Sequence, residues 1–300
     1  MNQTRTLEAK NLVRTFDGKS AVEGVSITLS RGEVLGFLGP NGAGKSTTMR
    51  MLTGNLRPES GQVEICGIDL LKSPVQAKRL LGYLPEHPPL YREMKVDEYL
   101  QFAAKLHRAD PGSVESAKER CGLVDAGRKL IGTLSRGYQQ RVGIAQAILH
   151  DPEVVILDEP TSGLDPNQIR EIRALIREIG DRKSVILSTH ILSEVESICD
   201  RVEILHKGRL VYEGSLDSRP ACIEAAFRNP PEKAELESIE GVMSVEALCA
   251  DSFRLNHERE RDPTESVVKA AAEKGWGLSR IGPGKAMLEE VFAELTREDK

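Results

Sequence analysis

Three hundred residues, 39% of them apolar and 29% charged, suit a medium domain followed by a small one and have the composition of an ordinary globular protein. A formal net charge of −5 argues against a general nucleic-acid binder, which carries a basic excess. The five cysteines, Cys66, Cys121, Cys199, Cys222 and Cys249, form no C-x-x-C pair, which argues against a zinc site or a disulfide framework and fits a reducing compartment.

In chain order, residues 7–16 and 22–29 read as strands with a turn at Asp17-Gly18. Residues 33–38 read as a short buried strand that runs into Gly39-Pro40-Asn41-Gly42-Ala43-Gly44-Lys45-Ser46-Thr47. That stretch fits G-x-x-x-x-G-K-[ST] at every fixed position, and a helix is expected from Lys45 to about Leu52. Glycines without Cβ atoms let the backbone wrap phosphate oxygens, and the helix start adds partial positive charge. Lys45 is expected to reach the β- and γ-phosphates of a nucleotide, and the Ser46 hydroxyl to bind Mg²⁺.

Residues 62–65 read as a strand, and a further strand ends at Gly82-Tyr83-Leu84-Pro85-Glu86. From His87 to His150 the character turns helical. Helices are expected over 96–106, 113–121 and 136–149, the first with Val96, Tyr99, Leu100, Ala103 and Leu106 on one face. The α/β pattern then resumes. Val154-Val155-Ile156-Leu157 is apolar throughout, as a buried parallel strand is, and ends in Asp158-Glu159. Ligands of open parallel sheets sit beyond the carboxyl ends of strands. Asp158 is therefore placed to hold Mg²⁺ through water, and Glu159 to orient or deprotonate an attacking water. A helix over 166–179, a strand over 185–188, a helix over 193–199 and a hairpin over 202–212 follow.

A boundary is expected between Gly214 and Pro220, dividing the chain into 1–216 and 217–300. The second part reads as a small α+β domain, for which a ferredoxin-like arrangement is one solution. Its expected strands are 222–227, 242–248, 252–255 and 278–281, and its helices 231–238, 263–274 and 286–296. Trp276, the single tryptophan, is expected in its core. The first residues have no apolar core and do not read as a secretory signal, and no apolar run approaches the ~20 residues that span a bilayer.

The motifs together resemble the ATP-binding subunit of an ABC transporter. Six of them stand in family order across residues 5–216: the phosphate loop, Glu86 after Gly82-Tyr83-Leu84-Pro85, the signature Leu134-Ser135-Arg136-Gly137-Tyr138-Gln139-Gln140, Asp158-Glu159, the D-loop Ser162-Gly163-Leu164-Asp165, and His190 in Ser188-Thr189-His190. The wording of residues 82–91 and of Leu288-Glu289-Glu290-Val291-Phe292 is similar to gliding-motility and multidrug-type export ATPases. The resemblance implies a P-loop NTPase fold with a mixed sheet core, a β-subdomain and a helical subdomain at about 87–150. Ser135 reads as a helix N-cap, and with the Gly137 amide it would form a second anion site. The chain has one phosphate loop, so the resemblance implies that this signature serves the nucleotide of a second copy packed head to tail. It also implies that His190 contacts the γ-phosphate, that Asp165 communicates across the dimer, and that Phe16 stacks on adenine.

Two positions depart from the pattern. Glu86 stands where the family usually has Gln; a carboxylate still binds Mg²⁺ but adds charge near the γ-phosphate. Arg136 replaces the first signature glycine, with its side chain either approaching phosphate or facing water. The expected function is an ATPase that dimerises on ATP and drives a separate integral membrane permease, in export, from the inner face of the cell membrane, with no nucleic-acid partner. The alternative is a soluble ABC ATPase of translation or DNA maintenance. Against it stand the single cassette and an interval between Lys45 and Ser135 too short for a long coiled coil.

Overall fold

A long hairpin opens the chain. Strands β1 (Arg5–Phe16) and β2 (Lys19–Ser30) pair antiparallel about Asp17 and Gly18, both at positive φ. The computed structural model describes residues 4–216, 221–258, 261–283 and 292 and divides the chain into two units, Met1–Leu216 and Asp217–Lys300.

In the first unit, β3 (Val34–Leu38) leads through the glycine-rich loop into α1 (Lys45–Leu52). Next come β4 (Ser60–Ile65) and the two-residue β5 (Ile68–Asp69), which join the hairpin in an antiparallel sheet of order β2-β1-β4-β5. Its inward face supplies Leu7, Ala9, Leu12, Val25, Ile27 and Val63 to a core shared with Phe37, Met49 and Ile156. Helix α2 (Pro74–Arg79) precedes β6 (Leu81–Leu84). Neither β5 nor α2 is expected from the sequence, because two and six residues are too short for a periodicity to show.

The helical part consists of α3 (Val96–His107), α4 (Ser113–Arg120) and α5 (Arg136–Ile148). On α3, Val96, Tyr99, Leu100 and Ala103 are buried as expected, but Leu106 is 68% exposed. Ala104, on the i, i+4 row through Val96 and Leu100, extends the buried stripe instead.

Strand β7 (Val154–Asp158), α6 (Pro166–Gly180), β8 (Ser184–Thr189), α7 (Leu192–Ile198) and the hairpin of β9 (Arg201–His206) and β10 (Arg209–Ser215) complete the unit. The second sheet runs β10-β9-β3-β8-β7-β6, parallel from β9 to β6 with β10 antiparallel at one edge. All residues of β3, β7 and β8 are buried, the mark of strands covered on both faces. Register sets Leu38 beside Thr189 and Asp158 beside Ser188, so three carboxyl ends meet at one line.

The second unit runs β11 (Ala221–Phe227), α8 (Lys233–Glu237), β12 (Ser244–Ala247), β13 (Ser252–His257), α9 (Thr264–Glu273) and β14 (Leu278–Pro283). The antiparallel sheet order β12-β13-β11-β14 is that of a split βαβ, ferredoxin-like fold. Trp276 lies in its core, edge-on to Phe227 at 5.8 Å between centroids. The helix expected over 286–296 lies outside the described residues except at Phe292.

Candidate nucleotide-binding site

The loop between β3 and α1 closes only because two of its positions lack side chains. A Cβ on Gly39 would collide with the Leu205 carbonyl, and one on Gly44, at φ 106°, with the Ala21 carbonyl. Lys45 opens α1 and folds back over the loop. Its ammonium donates to the Gly39 carbonyl at 2.8 Å and the Pro40 carbonyl at 3.3 Å, and lies 3.4 Å from Glu159 Oε1. Ala43 is buried and its amide donates to Pro40.

Two carboxylates follow each other at the end of β7 and point to different tasks. Asp158 is buried, accepts from the Ser188 hydroxyl, and accepts from the Ser46 hydroxyl at 3.4 Å. Burial raises its pKa above the usual carboxylate value, and the two hydroxyl donors oppose that rise. Glu159 sits at φ 49°, a left-handed conformation that a glutamate rarely adopts. Its amide donates to the Ser188 carbonyl at 3.1 Å, and its carboxylate takes His190 Nδ1 at 2.9 Å on the side away from Lys45. The turn aims the carboxylate into the site rather than along the strand.

Behind these groups, buried Glu194 accepts from Thr161 Oγ1 at 2.5 Å and Thr189 Oγ1 at 2.7 Å, tying the turn after β7 to the end of β8 through α7. Neither Ser188 nor Glu194 is expected from the sequence. The signal for Ser188 is the register of β7 with β8; Glu194 offers none short of the fold.

An open cavity of about 420 Å³ lies over the loop. Of the expected residues, Asn41, Gly42, Gly44, Lys45, Ser46, Thr47, Glu86, Glu159 and His190 line it, together with Ala21 and Ser162. Phe16 does not; it is 42% exposed at the end of β1, so core packing is not its role, and the Arg14 guanidinium lies 5.0 Å from its ring centroid. Ser135 and Gly137 also lie outside the cavity lining. Ser135 caps α5 as expected, accepting from the Tyr138 amide at 3.4 Å. Asp165 caps α6 through the Asn167 and Gln168 amides, both at 3.0 Å.

A phosphate loop on a parallel sheet, with two carboxylates at the end of β7, across β8 from the loop's strand, and a serine-capped helix apart from the cavity, defines an ATP-binding cassette. Residues 22–162 match the family described as ABC transporter. The chain is 43% identical over 298 residues to "Uncharacterized ABC transporter ATP-binding protein YhcH" of Bacillus subtilis (strain 168), covering 98% of this chain and 97% of that one. It is 39% identical to "Bacitracin transport ATP-binding protein BcrA" of Bacillus licheniformis, over 70% of each. It is 31% identical to "Daunorubicin resistance ATP-binding protein DrrA3" of Streptomyces coeruleorubidus, over 96% of this chain and 94% of that one. A solved "ATP binding subunit of ABC transporter" superposes with a TM-score of 0.65 at 34% identity, covering 71% of this chain and 90% of the other.

The chain belongs to the ABC transporter ATP-binding proteins. It is an ATP-binding subunit of that class and an ATPase, and the soluble alternative is not favoured. Among the described residues no helix is long and apolar enough to cross a membrane.

Proposed function

We propose that this subunit closes on ATP as a head-to-tail dimer of two copies and reopens on hydrolysis, driving an export permease from the inner face of the membrane. The observation that carries the reading is Glu159, held between the Lys45 ammonium and the His190 ring at the mouth of the phosphate loop. The reaction is ATP + H₂O → ADP + phosphate, in which positioning and charge supply most of the catalysis. The phosphate loop and Lys45 hold the nucleotide phosphates. Glu159 accepts a proton from, or orients, the attacking water. His190, fixed by Glu159, contacts the γ-phosphate, and Phe16 offers its ring to the base.

Ser46 and Asp158, with Glu86 on the same cavity, form an all-oxygen set that suits Mg²⁺. The ion, when bound, supplies charge neutralisation for the phosphates; Asp158 is kept ready for it by its two hydroxyl donors. Ser135 and Gly137, outside the cavity of their own chain, then serve the nucleotide of the second copy.

Export draws support from relatives named for bacitracin transport and daunorubicin resistance. The permease surface is the helical subdomain with the Glu86 loop. Tyr91 and Phe102, 52% and 39% exposed, touch each other there at 5.9 Å between centroids, beside Tyr99. A pocket of about 290 Å³ among Tyr83, Leu84, Pro85, Pro88 and Pro89 lies on the same side of the loop. Exposed aromatics of this kind mark association surfaces. Residues 217–300 form an accessory domain that stabilises or regulates the dimer.

The test is Glu159→Gln, which keeps the shape of the side chain and removes its basicity. It should lower hydrolysis by at least ~100-fold, the lower end of the contribution of a general base, and accumulate an ATP-bound dimer detectable by light scattering. A variant that stays monomeric with saturating Mg-ATP would sink the shared-site reading. Membranes should yield the wild-type subunit together with a polytopic protein; recovery with ribosomes or DNA alone would contradict the permease.

A further inference from the structure

A carboxylate is costly to bury unless its oxygens find partners. Glu194, on α7, is 0% exposed, and its two oxygens are divided between two different strand ends. Oε1 accepts from the Thr161 hydroxyl, just beyond β7, at 2.5 Å, and Oε2 from the Thr189 hydroxyl, at the end of β8, at 2.7 Å. The Arg173 guanidinium of α6, 3.8 Å from Oε1, opposes the charge. Glu194, Thr161 and Thr189 are not among the residues that line the cavity over the phosphate loop. Whatever Glu194 does for hydrolysis, it does through the two turns that it holds.

Each threonine stands beside a residue of the site. Thr161 follows Glu159 by two positions, in a turn where the Ser162 amide donates to the Glu159 carbonyl at 3.1 Å. Glu159 itself lies in left-handed backbone at φ 49°, a conformation that persists only where its surroundings over-determine it. Ser188 holds that turn on the strand side, where its carbonyl and its hydroxyl both accept from the Glu159 amide. The Thr161 contact holds it on the other side. Thr189 directly precedes His190. Its hydroxyl oxygen accepts from the Ile191 amide at 3.0 Å, and its carbonyl from the Gly39 amide at 3.3 Å. Helix α7 is itself seated closely: a Cβ on Gly36 of β3 would fall 2.8 Å from Cγ1 of Val195, the residue next to Glu194. The contacts close a ring that runs Glu159, Thr161, Glu194, Thr189, His190 and, at 2.9 Å, back to Glu159.

We propose that Glu194 is a positioning residue for hydrolysis, which fixes the separation of Glu159 and His190 by holding the turn after β7 and the end of β8 to one carboxylate. The inference rests on the roles given above to Glu159 and His190. It divides the work: the phosphate loop and Lys45 bind nucleotide without Glu194, and Glu194 serves the step after binding. A change at Thr161 then reaches His190, although the two share no hydrogen bond among the described residues.

The experiment compares Thr161→Val, which keeps the methyl group and removes the hydroxyl, with Thr161→Ser, which does the reverse. The readouts are kcat at saturating Mg-ATP, nucleotide affinity, and the ring ¹⁵N NMR signals of His190, assigned by their loss in His190→Ala. Thr161→Val should lower kcat by ~10- to 100-fold, the scale of a misplacement near 1 Å, leave nucleotide affinity unchanged and shift the His190 signals. Thr161→Ser should restore both kcat and the signals. Glu194→Asp, a methylene too short to reach both threonines, should reproduce Thr161→Val and takes its place if melting shows that variant unfolded. A Thr161→Val protein with wild-type kcat or unmoved His190 signals overturns the proposal. So does a loss of nucleotide affinity that matches the loss of kcat, and so does a Thr161→Ser protein as impaired as Thr161→Val, which would assign the effect to packing. If Glu159→Gln and His190→Ala hydrolyse ATP at the wild-type rate, the reading of the site falls instead.

Discussion

Lys45 shows what one residue contributes before any ligand arrives. Its ammonium is buried, yet it is not left bare: two loop carbonyls and Glu159 surround it. Those partners hold the side chain along the direction that phosphates will occupy, so little rotamer entropy remains to be lost on binding. Lys45→Ala removes at least two charge-assisted contacts at about 1.5 kcal/mol each, and ATP affinity should fall by ~100-fold or more. A titration that returns wild-type affinity would contradict the role given to Lys45. At this scale the sequence is readable where chemistry and spacing are local. The loop from Gly39 to Thr47, the Ser135 cap and the paired carboxylates after β7 are all visible as short motifs. The contact of Glu159 with His190 is not, because 31 residues separate them and only the pairing of β7 with β8 brings them together. The left-handed turn at Glu159 is equally silent, since the residue type argues against it.

Elements are placed by what the strands beneath them allow. Helix α5 carries the signature, and it lies on β6, the edge strand of the second sheet. The approach is close because of Gly82: a Cβ there would run into the backbone carbonyl of Ala147, near the end of α5, and contact Pro152 at 3.0 Å. A backbone oxygen inside a helix has no rotamer through which to yield. Gly82→Ala should therefore push α5 off the strand and destabilise the first unit by about 1–3 kcal/mol, the usual cost of overpacking. Thermal unfolding checks it, and a melting point unchanged from wild type would show that α5 can shift without cost. Elements with an unbroken apolar run or a clear stripe are legible: β3, β7 and β8 by the first, α3 by the second. Helix α8 has neither, and it runs Lys233–Glu237 where 231–238 is expected. Its start is set by Glu232, which stands in extended backbone as the N-cap and forms a capping box with Glu235.

At the scale of the molecule, the question is what joins the two sheets of the first unit. Arg201, on β9, donates to the Thr28 carbonyl on β2 and to Glu33, Glu203 and Glu213. One cation is shared by three carboxylates, and Glu203 is the most deeply buried of them. Its Oε2 has no hydrogen-bond partner among the described residues. Burial, reinforced by the repulsion of Glu213 and Glu33, pushes the Glu203 pKa up to about 7 against the pull of Arg201. Between about pH 4.5 and 7 the folded chain thus holds a proton that the unfolded chain has released. The stability contributed by protonated Glu203 is complete below about pH 4.5 and is lost as pH rises through about 7. Glu203→Gln keeps an acceptor for Arg201 and removes the titration. Compared with wild type, it should flatten the fall in unfolding free energy across that window and be more stable at pH 8, by at most about 3 kcal/mol. Denaturant unfolding of both proteins at pH 5, 6, 7 and 8 measures the difference directly. Curves that stay parallel over the whole range would mean that Glu203 is ionised in the folded chain, and that the joint between the sheets is a fully charged cluster. Nothing local marks this joint in the sequence, where Thr28, Glu33 and Arg201 read as ordinary polar positions on strands or at their ends. It exists because β9 lies beside β3 and β2 crosses above them, a relation that belongs to the fold.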